Sequence, residues 1–300
     1  SSTASWVEFD MADVDTDAKG YYGAVFDGKY MYFAPYSNSA NHGNVTRYDT
    51  TADFSTTVSW ANFDTTAVDA NSKGFVGAVF DGRYTYFVPS LTTGGHVTRY
   101  DTTADFSTGG SWTVFDTTGV NASAKGFNGA VFDGKYVYFV PMNNGAYHGN
   151  VTRYDTTADF SSTASWTVYD VNAVDASAEG FVGAVFDGRY VYFVPNYITG
   201  SANGHVTRYD TTADFSTAGS WTVYDTNALD ANAEGFNGAT FDGRYVYFVP
   251  LKSPTFAHHG HVTRYDTTAN FTTAGSWTVF DTVGVDANAK GFRGGVFDGR

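Results

Sequence analysis

The chain has 300 residues, a net charge of −14 and no cysteine, and 18% of it is Phe, Trp or Tyr. Leucine occurs three times and isoleucine once, so a leucine-built helical or α/β core is excluded and the core falls to Val, Phe, Tyr and Trp, which favour pleated strands. The acidic balance argues against nucleic acid and anionic membranes as partners, no apolar run is long enough to span a bilayer, and without cysteine there is neither a disulfide framework nor a thiolate metal site.

The chain opens on Ser1-Ser2-Thr3, without an initiator Met or signal peptide, as a processed product or an excerpt would. A first strand-like piece, Trp6 to Phe9, stands ahead of Asp13, Asp15 and Asp17. From there a repeat sets in. Phe-Asp-Gly-Lys/Arg recurs with its aspartate at 27, 81, 133, 187, 242 and 298, and such a period announces a repeat architecture. Each unit holds four short pieces rich in β-branched and aromatic residues, here named A to D. In the second unit they are Gly77-Ala78-Val79-Phe80, Tyr84 to Val88, Val97-Thr98-Arg99-Tyr100 and Trp112 to Phe115. Asp-Gly between A and B is a hairpin signal, because Gly adopts positive φ without steric cost. A proline closes B, since it cannot continue a ladder. A polar segment ending in His-Gly, Gly-Gly or Asn-Gly leads to C. Asp-Thr-Thr-Ala-Asp/Asn-Phe leads to D, and about a dozen residues return to the next A.

Four antiparallel strands per repeat of about 54 residues are the pattern of β-propeller blades. In Tyr190-Val191-Tyr192-Phe193 the two tyrosines share one face and Val with Phe the other, which suits blades packed on both sides. The expectation is one all-β propeller over residues 1–300, with six or five blades. In the six-bladed form the N-terminal strand closes the last blade, and the chain lacks part of the last repeat. The six tryptophans, at 6, 60, 112, 166, 221 and 277, are expected in the core.

The repeat spacings are 54, 52, 54, 55 and 56, the distances from the proline closing B to the valine opening C are 10, 8, 10, 11 and 12, and the two series differ by 44 throughout. All length variation therefore sits in the B–C loop. In a meander the B–C and D–A loops emerge on one face. Loops carried on a rigid scaffold are where recognition usually resides, so this face is the candidate functional surface. Its ligand-binding candidates are the irregular loop aromatics Tyr36, Tyr147, Tyr197 and Phe256, the asparagines Asn44 and Asn150, and the histidines His42, His96, His148, His205, His259 and His261. Aromatic CH-stacking with polar neighbours suits sugars. The histidines could also bind zinc, and hairpin-turn polarity is their simpler role.

Asp13, Asp15 and Asp17 are weak calcium candidates: they alternate as in a calcium loop, yet the closing Glu is absent and Asx turns explain them more simply. No cofactor is expected, with calcium left open. Almost every other Asp belongs to a repeated set, which points to turn geometry rather than to the paired carboxylates of a glycosidase. Glu179 and Glu234 replace a lysine of the other repeats and read as a solvated loop position.

The blocks Phe-Asp-Gly-Arg-Tyr-Val-Tyr-Phe-Val-Pro and Val-Thr-Arg-Tyr-Asp-Thr resemble those of bacterial extracellular β-propeller repeat proteins along the whole chain. The resemblance implies fold, not mechanism. The stretch Thr212 to Trp221 looks like the Asp-box between strands C and D of sialidase-type propellers, with a longer Asp-to-Trp spacing; that box is structural there. The functional expectation is a secreted or cell-surface, non-enzymatic module that binds glycans or cell-surface polymers through the B–C loops. A surface-layer or filament subunit that self-associates is the alternative, and a propeller glycosidase the second.

Overall fold

A computed structural model describes residues 6–90, 94–253, 255 and 257–299. Phe256, one of the loop candidates, lies outside them. The chain forms two compact units, residues 1–127 with 155–166 and residues 128–154 with 167–300.

The architecture is all-β and is that of a β-propeller. Five four-stranded sheets are present among the described residues, each a meander in chain order. The fourth repeat is representative: strand A is Phe181–Phe186, B is Tyr190–Pro195, C is His205–Asp210 and D is Trp221–Asp225. Tyr190 pairs with Asp210 and Tyr209 with Trp221, all antiparallel. Strand A begins earlier than its sequence suggests. Phe181 already pairs with Pro195, and the register then slips before Ala184. The slip is a bulge at Gly183, whose φ is +80°, a conformation open to glycine.

The alternation read from Tyr190 to Phe193 separates two cores. Val191 and Phe193 pack with Tyr138, Val151 and Trp221. Tyr192 packs with Val246, Tyr265 and Trp277. Five of the six tryptophans are buried as expected. Each Nε1–H donates to the carbonyl of the Phe six residues earlier, at 2.8–3.0 Å, which closes the C–D turn.

Trp6 departs from this set. It is 80% exposed, and residues 6–10 belong to no strand. Residues 291–299 are likewise in no strand, and the four-stranded sheets among the described residues number five. The A–B hairpin also differs in detail. Its tip residues are Gly28 and Lys29, with Gly28 at φ +104°, not Asp27 and Gly28. Asp27 instead flanks the tip. Its carboxylate accepts the amides of Lys29 and Tyr30 at 2.8 and 2.6 Å and the hydroxyl of buried Tyr32 at 2.7 Å. Burial and that carboxylate both push the Tyr32 phenol above its ordinary value.

Candidate functional site

The face carrying the B–C and D–A loops is built by close backbone packing. In the first repeat the Thr65 amide donates to the Gly43 carbonyl and the Gly74 amide to that of His42, both at 3.0 Å. The Thr65 hydroxyl lies between the carbonyls of Gly43 and Ser72, at 3.0 and 2.7 Å. A Cβ on Gly43 would stand 2.6 Å from the Ser72 carbonyl oxygen, so only glycine lets the two loops meet. Asp64 caps the short 3-10 turn Thr65–Ala67 by accepting the Thr66 amide. The loops that vary in length bulge beyond this join as two-residue ladders, Ser37–Asn38 with Ala40–Asn41 and Tyr197–Ile198 with Ser201–Ala202.

A depression of about 360 Å³ opens where these loops meet in the first repeat, lined among others by His42, Asn44, Asp64, Thr66 and Lys73. Behind Asn44 runs a hydrogen-bonded chain. The Asn62 amide group donates to Asn44 Oδ1 at 3.2 Å, the Thr46 hydroxyl donates to Asn62 Oδ1 at 3.0 Å, and Tyr21 OH lies 2.5 Å from Thr46 Oγ1. Because the Thr46 proton is committed to Asn62, Tyr21 is the donor. Burial pushes its phenol up to about 12, so that proton is retained at neutral pH. Tyr21 occupies the position of Phe75, Phe127, Phe181 and Phe236, and Asn62 that of Val114, Val168, Val223 and Val279. The two departures from the repeat therefore occur together and touch through Thr46. Comparison of the repeats position by position would have revealed both; attention to loop length alone missed them.

The pairing makes a prediction. Tyr21→Phe and Asn62→Val should each cost about 1 kcal/mol, since each removes a hydrogen bond from the part-buried chain. The double variant, which restores the repeat's usual pair, should lose less than the sum by at least about 0.5 kcal/mol. Urea denaturation checks it, and strict additivity would show that the chain does not act as a unit.

The other candidates are spread over the repeats. Tyr36 packs edge-on to Tyr22 at 5.8 Å between ring centres and accepts the His42 amide through its carbonyl. The His42 ring meets Tyr21 edge-on at 6.2 Å, and burial lowers its pKa, favouring neutral imidazole. His96 Nε2 lies 3.9 Å from Asp116. His148 Nδ1 accepts the Asn150 amide at 3.2 Å. Tyr147 bridges to Asn143 within its loop. Burial raises the Tyr197 phenol, with the Tyr147 phenol adding to the effect. His205 is held by Asn203 Oδ1, which accepts its backbone amide at 2.9 Å. His259 Nε2 donates to the Glu234 carbonyl at 2.9 Å and its Nδ1 accepts the His261 amide at 3.3 Å. His261 Nε2 lies 3.8 and 4.0 Å from Asp230 and Asp281. The structure thus joins His42 with Asn44, His148 with Asn150, and His259 with His261.

Asp15 accepts the Asp17 amide at 2.9 Å, and Asp17 takes a bond from Asn38 at 3.3 Å. The first of these is an Asx turn, recurring at Asp69 and Asp230. Among the described residues no three His, Asp or Glu are grouped to hold a metal, Asp13, Asp15 and Asp17 included. Glu234 contradicts its reading as a solvated position: it is 4% exposed. Asn227 donates to its Oε2 at 2.8 Å, Oε1 has no partner among the described residues, and burial raises its pKa. Asn227 and Asn172 occur in the two repeats whose lysine is replaced by glutamate, a coupling that the sequence carried.

No protein-family model matches the chain, and no curated protein matches it. Solved structures do. A computationally designed protein, Ika8, superposes with a TM-score of 0.54 at 11% identity, covering 93% of this chain and 65% of that one. Hydrazine synthase of Kuenenia stuttgartiensis superposes with a TM-score of 0.53 at 15% identity, over 87% of this chain and 65% of that one. A chain of a nidogen/laminin complex gives 0.48 at 13% identity, over 88% and 84%. The chain spans about 65% of the length of the first two. At these identities the likeness concerns the fold alone.

Proposed function

We propose that the chain is a non-enzymatic binding module, displayed outside the cell or on its surface, that takes glycans on the face where the B–C and D–A loops meet. The observation that carries this reading is the first-repeat depression, with Asn44 held in place by the chain from Tyr21. Vicinal sugar hydroxyls both donate and accept hydrogen bonds. Asn44, Asp64 and Thr66 offer acceptors, while Lys73 and the amide group of Asn44 offer donors. The repeated aspartates elsewhere are committed to turns and ion pairs: Asp101, Asp210 and Asp266 pair with Arg83, Arg189 and Arg244 at 2.7–2.8 Å.

A glycan array, run with calcium and again with chelator, tests the reading. A hit should weaken at least about tenfold in Lys73→Ala and in Asn44→Ala, the loss of one or two polar contacts, while the melting temperature of Lys73→Ala stays unchanged. A blank array, or binding indifferent to both variants, overturns it. Loss with chelator would show that calcium takes part.

A further inference from the structure

The depression between the first B–C and D–A loops has an unequal supply of hydrogen-bonding groups. Its carboxylate is occupied: Asp64 Oδ1 accepts the Thr66 amide at 3.0 Å and Oδ2 accepts the Thr66 hydroxyl at 2.7 Å. Asn44 Oδ1 is occupied from behind by the Asn62 amide group. The chain from Tyr21 through Thr46 to Asn62 runs in one direction. It holds Asn44 with its oxygen toward strand D, Trp60–Asp64, and leaves the amide hydrogens of Asn44 over. Both Asn44 and Lys73 line the depression. Neither Asn44 Nδ2 nor Lys73 Nζ has a hydrogen-bond or ionic partner among the described residues. Burial favours the neutral form of His42, so Lys73 supplies the positive charge.

This combination occurs once. The five repeats carry Asn44, His96, Asn150, His205 and His261 at the first position, and Lys73, Lys125, Glu179, Glu234 and Lys290 at the second. Only the first repeat joins an asparagine to a lysine. It is also the repeat that places Tyr21 and Asn62 behind that asparagine.

We infer that the first-repeat depression selects a sugar by its carboxylate, as in a uronic acid, with Lys73 and the Asn44 amide group donating to the carboxylate oxygens. The inference rests on the glycan-binding reading above and adds the class of sugar. A neutral hydroxyl brings a proton that needs an acceptor, and Asn44 Oδ1 and both Asp64 oxygens already hold one hydrogen bond each. An ionised carboxylate brings acceptors alone, and hydrogen bonds to it are about twice as strong as neutral ones. The net charge of −14 does not stand against this. Screening leaves little interaction beyond about 8 Å at physiological ionic strength. An extended polyanion meets the acidic surface at many points, whereas one carboxylate meets mainly its immediate neighbours.

Titration calorimetry tests the inference with oligosaccharides of glucuronic, galacturonic, mannuronic or sialic acid, each beside its carboxyl-reduced neutral counterpart. At least one acidic oligosaccharide should bind at least about tenfold tighter than its counterpart, the worth of one charge-assisted bond. Lys73→Glu, which installs the residue of the third and fourth repeats, should remove the preference, and Lys73→Arg should keep it. Asn44→Asp, close in shape but without the amide hydrogens, should weaken the acidic ligand at least about tenfold. The Lys73 side chain bonds to nothing among the described residues, so the melting temperature of both Lys73 variants should not move. Binding confined to neutral glycans, equal binding of both kinds, or a preference indifferent to Lys73→Glu would overturn the inference and leave glycan binding standing. No binding to any of these probes or to the glycan array would overturn both.

Discussion

Trp221→Ala should destabilise the chain by about 3–5 kcal/mol, the range for deleting a large aromatic from a packed core. The indole is 4% exposed. It lies flat on Tyr169, packs tilted against Tyr209 at 4.7 Å, and meets Phe215 and Phe193 at 5.4 and 5.8 Å. Alanine would leave a cavity bordered by four rings that strand geometry holds apart, so little collapse can offset it. Trp221→Phe separates packing from polarity. It keeps a ring in place but loses the bond from Nε1 to the Phe215 carbonyl, 2.9 Å long, and should cost about 1–3 kcal/mol, the penalty for an unsatisfied buried group. Guanidinium denaturation of both variants checks the pair. Equal losses would mean that the hydrogen bond, not the packing, is what the indole supplies.

Gly235→Ala should be comparably severe, with a loss above about 3 kcal/mol, beyond the usual range for one substitution. Gly235 has φ +61°, and an added Cβ would stand 1.8 Å from the Lys252 carbonyl oxygen. The neighbouring backbone cannot retreat, because Leu251 and Lys252 both donate their amides to the Gly235 carbonyl at 3.2 and 3.1 Å. The B–C loop of the fifth repeat is thereby pinned to the loop that precedes its strand A. Gly243→Ala is the control. It too has positive φ, +98°, but nothing lies within 4 Å of the added carbon, so it should lose only the backbone term of about 1–2 kcal/mol. Thermal melts of the two variants side by side check the difference, and equal shifts would locate the cost in φ rather than in the collision.

Much of the fold could be read from the chain. The period, the proline at the end of strand B and the two-sided aromatic pattern each reflect a local rule, and local rules act within a few residues. The bulge at Gly183 was less legible, because glycine in a strand announces a break without saying where the register resumes. Asp27 was legible as a turn residue but not as the acceptor for Tyr32, which depends on how the hairpin brings position 32 back over the tip. Burial of Glu234 needed its neighbour: only Asn227, seven residues earlier, marks the carboxylate as held rather than solvated. The polar chain from Tyr21 to Asn44 was hidden for another reason. Its two unusual residues lie 41 positions apart on strands A and D, and only folding brings them to the same threonine.

In each four-stranded sheet among the described residues, all four strands come from one contiguous stretch of chain, in sequence order. No sheet waits for a distant segment before its ladders close, so contact order within a repeat is low, and low contact order goes with fast folding. Each repeat of about 54 residues can therefore complete its hydrogen bonding as it leaves a ribosome, well before the next has been made. The same locality bears on inheritance: a repeat can be duplicated or lost in the gene without rethreading any that remain.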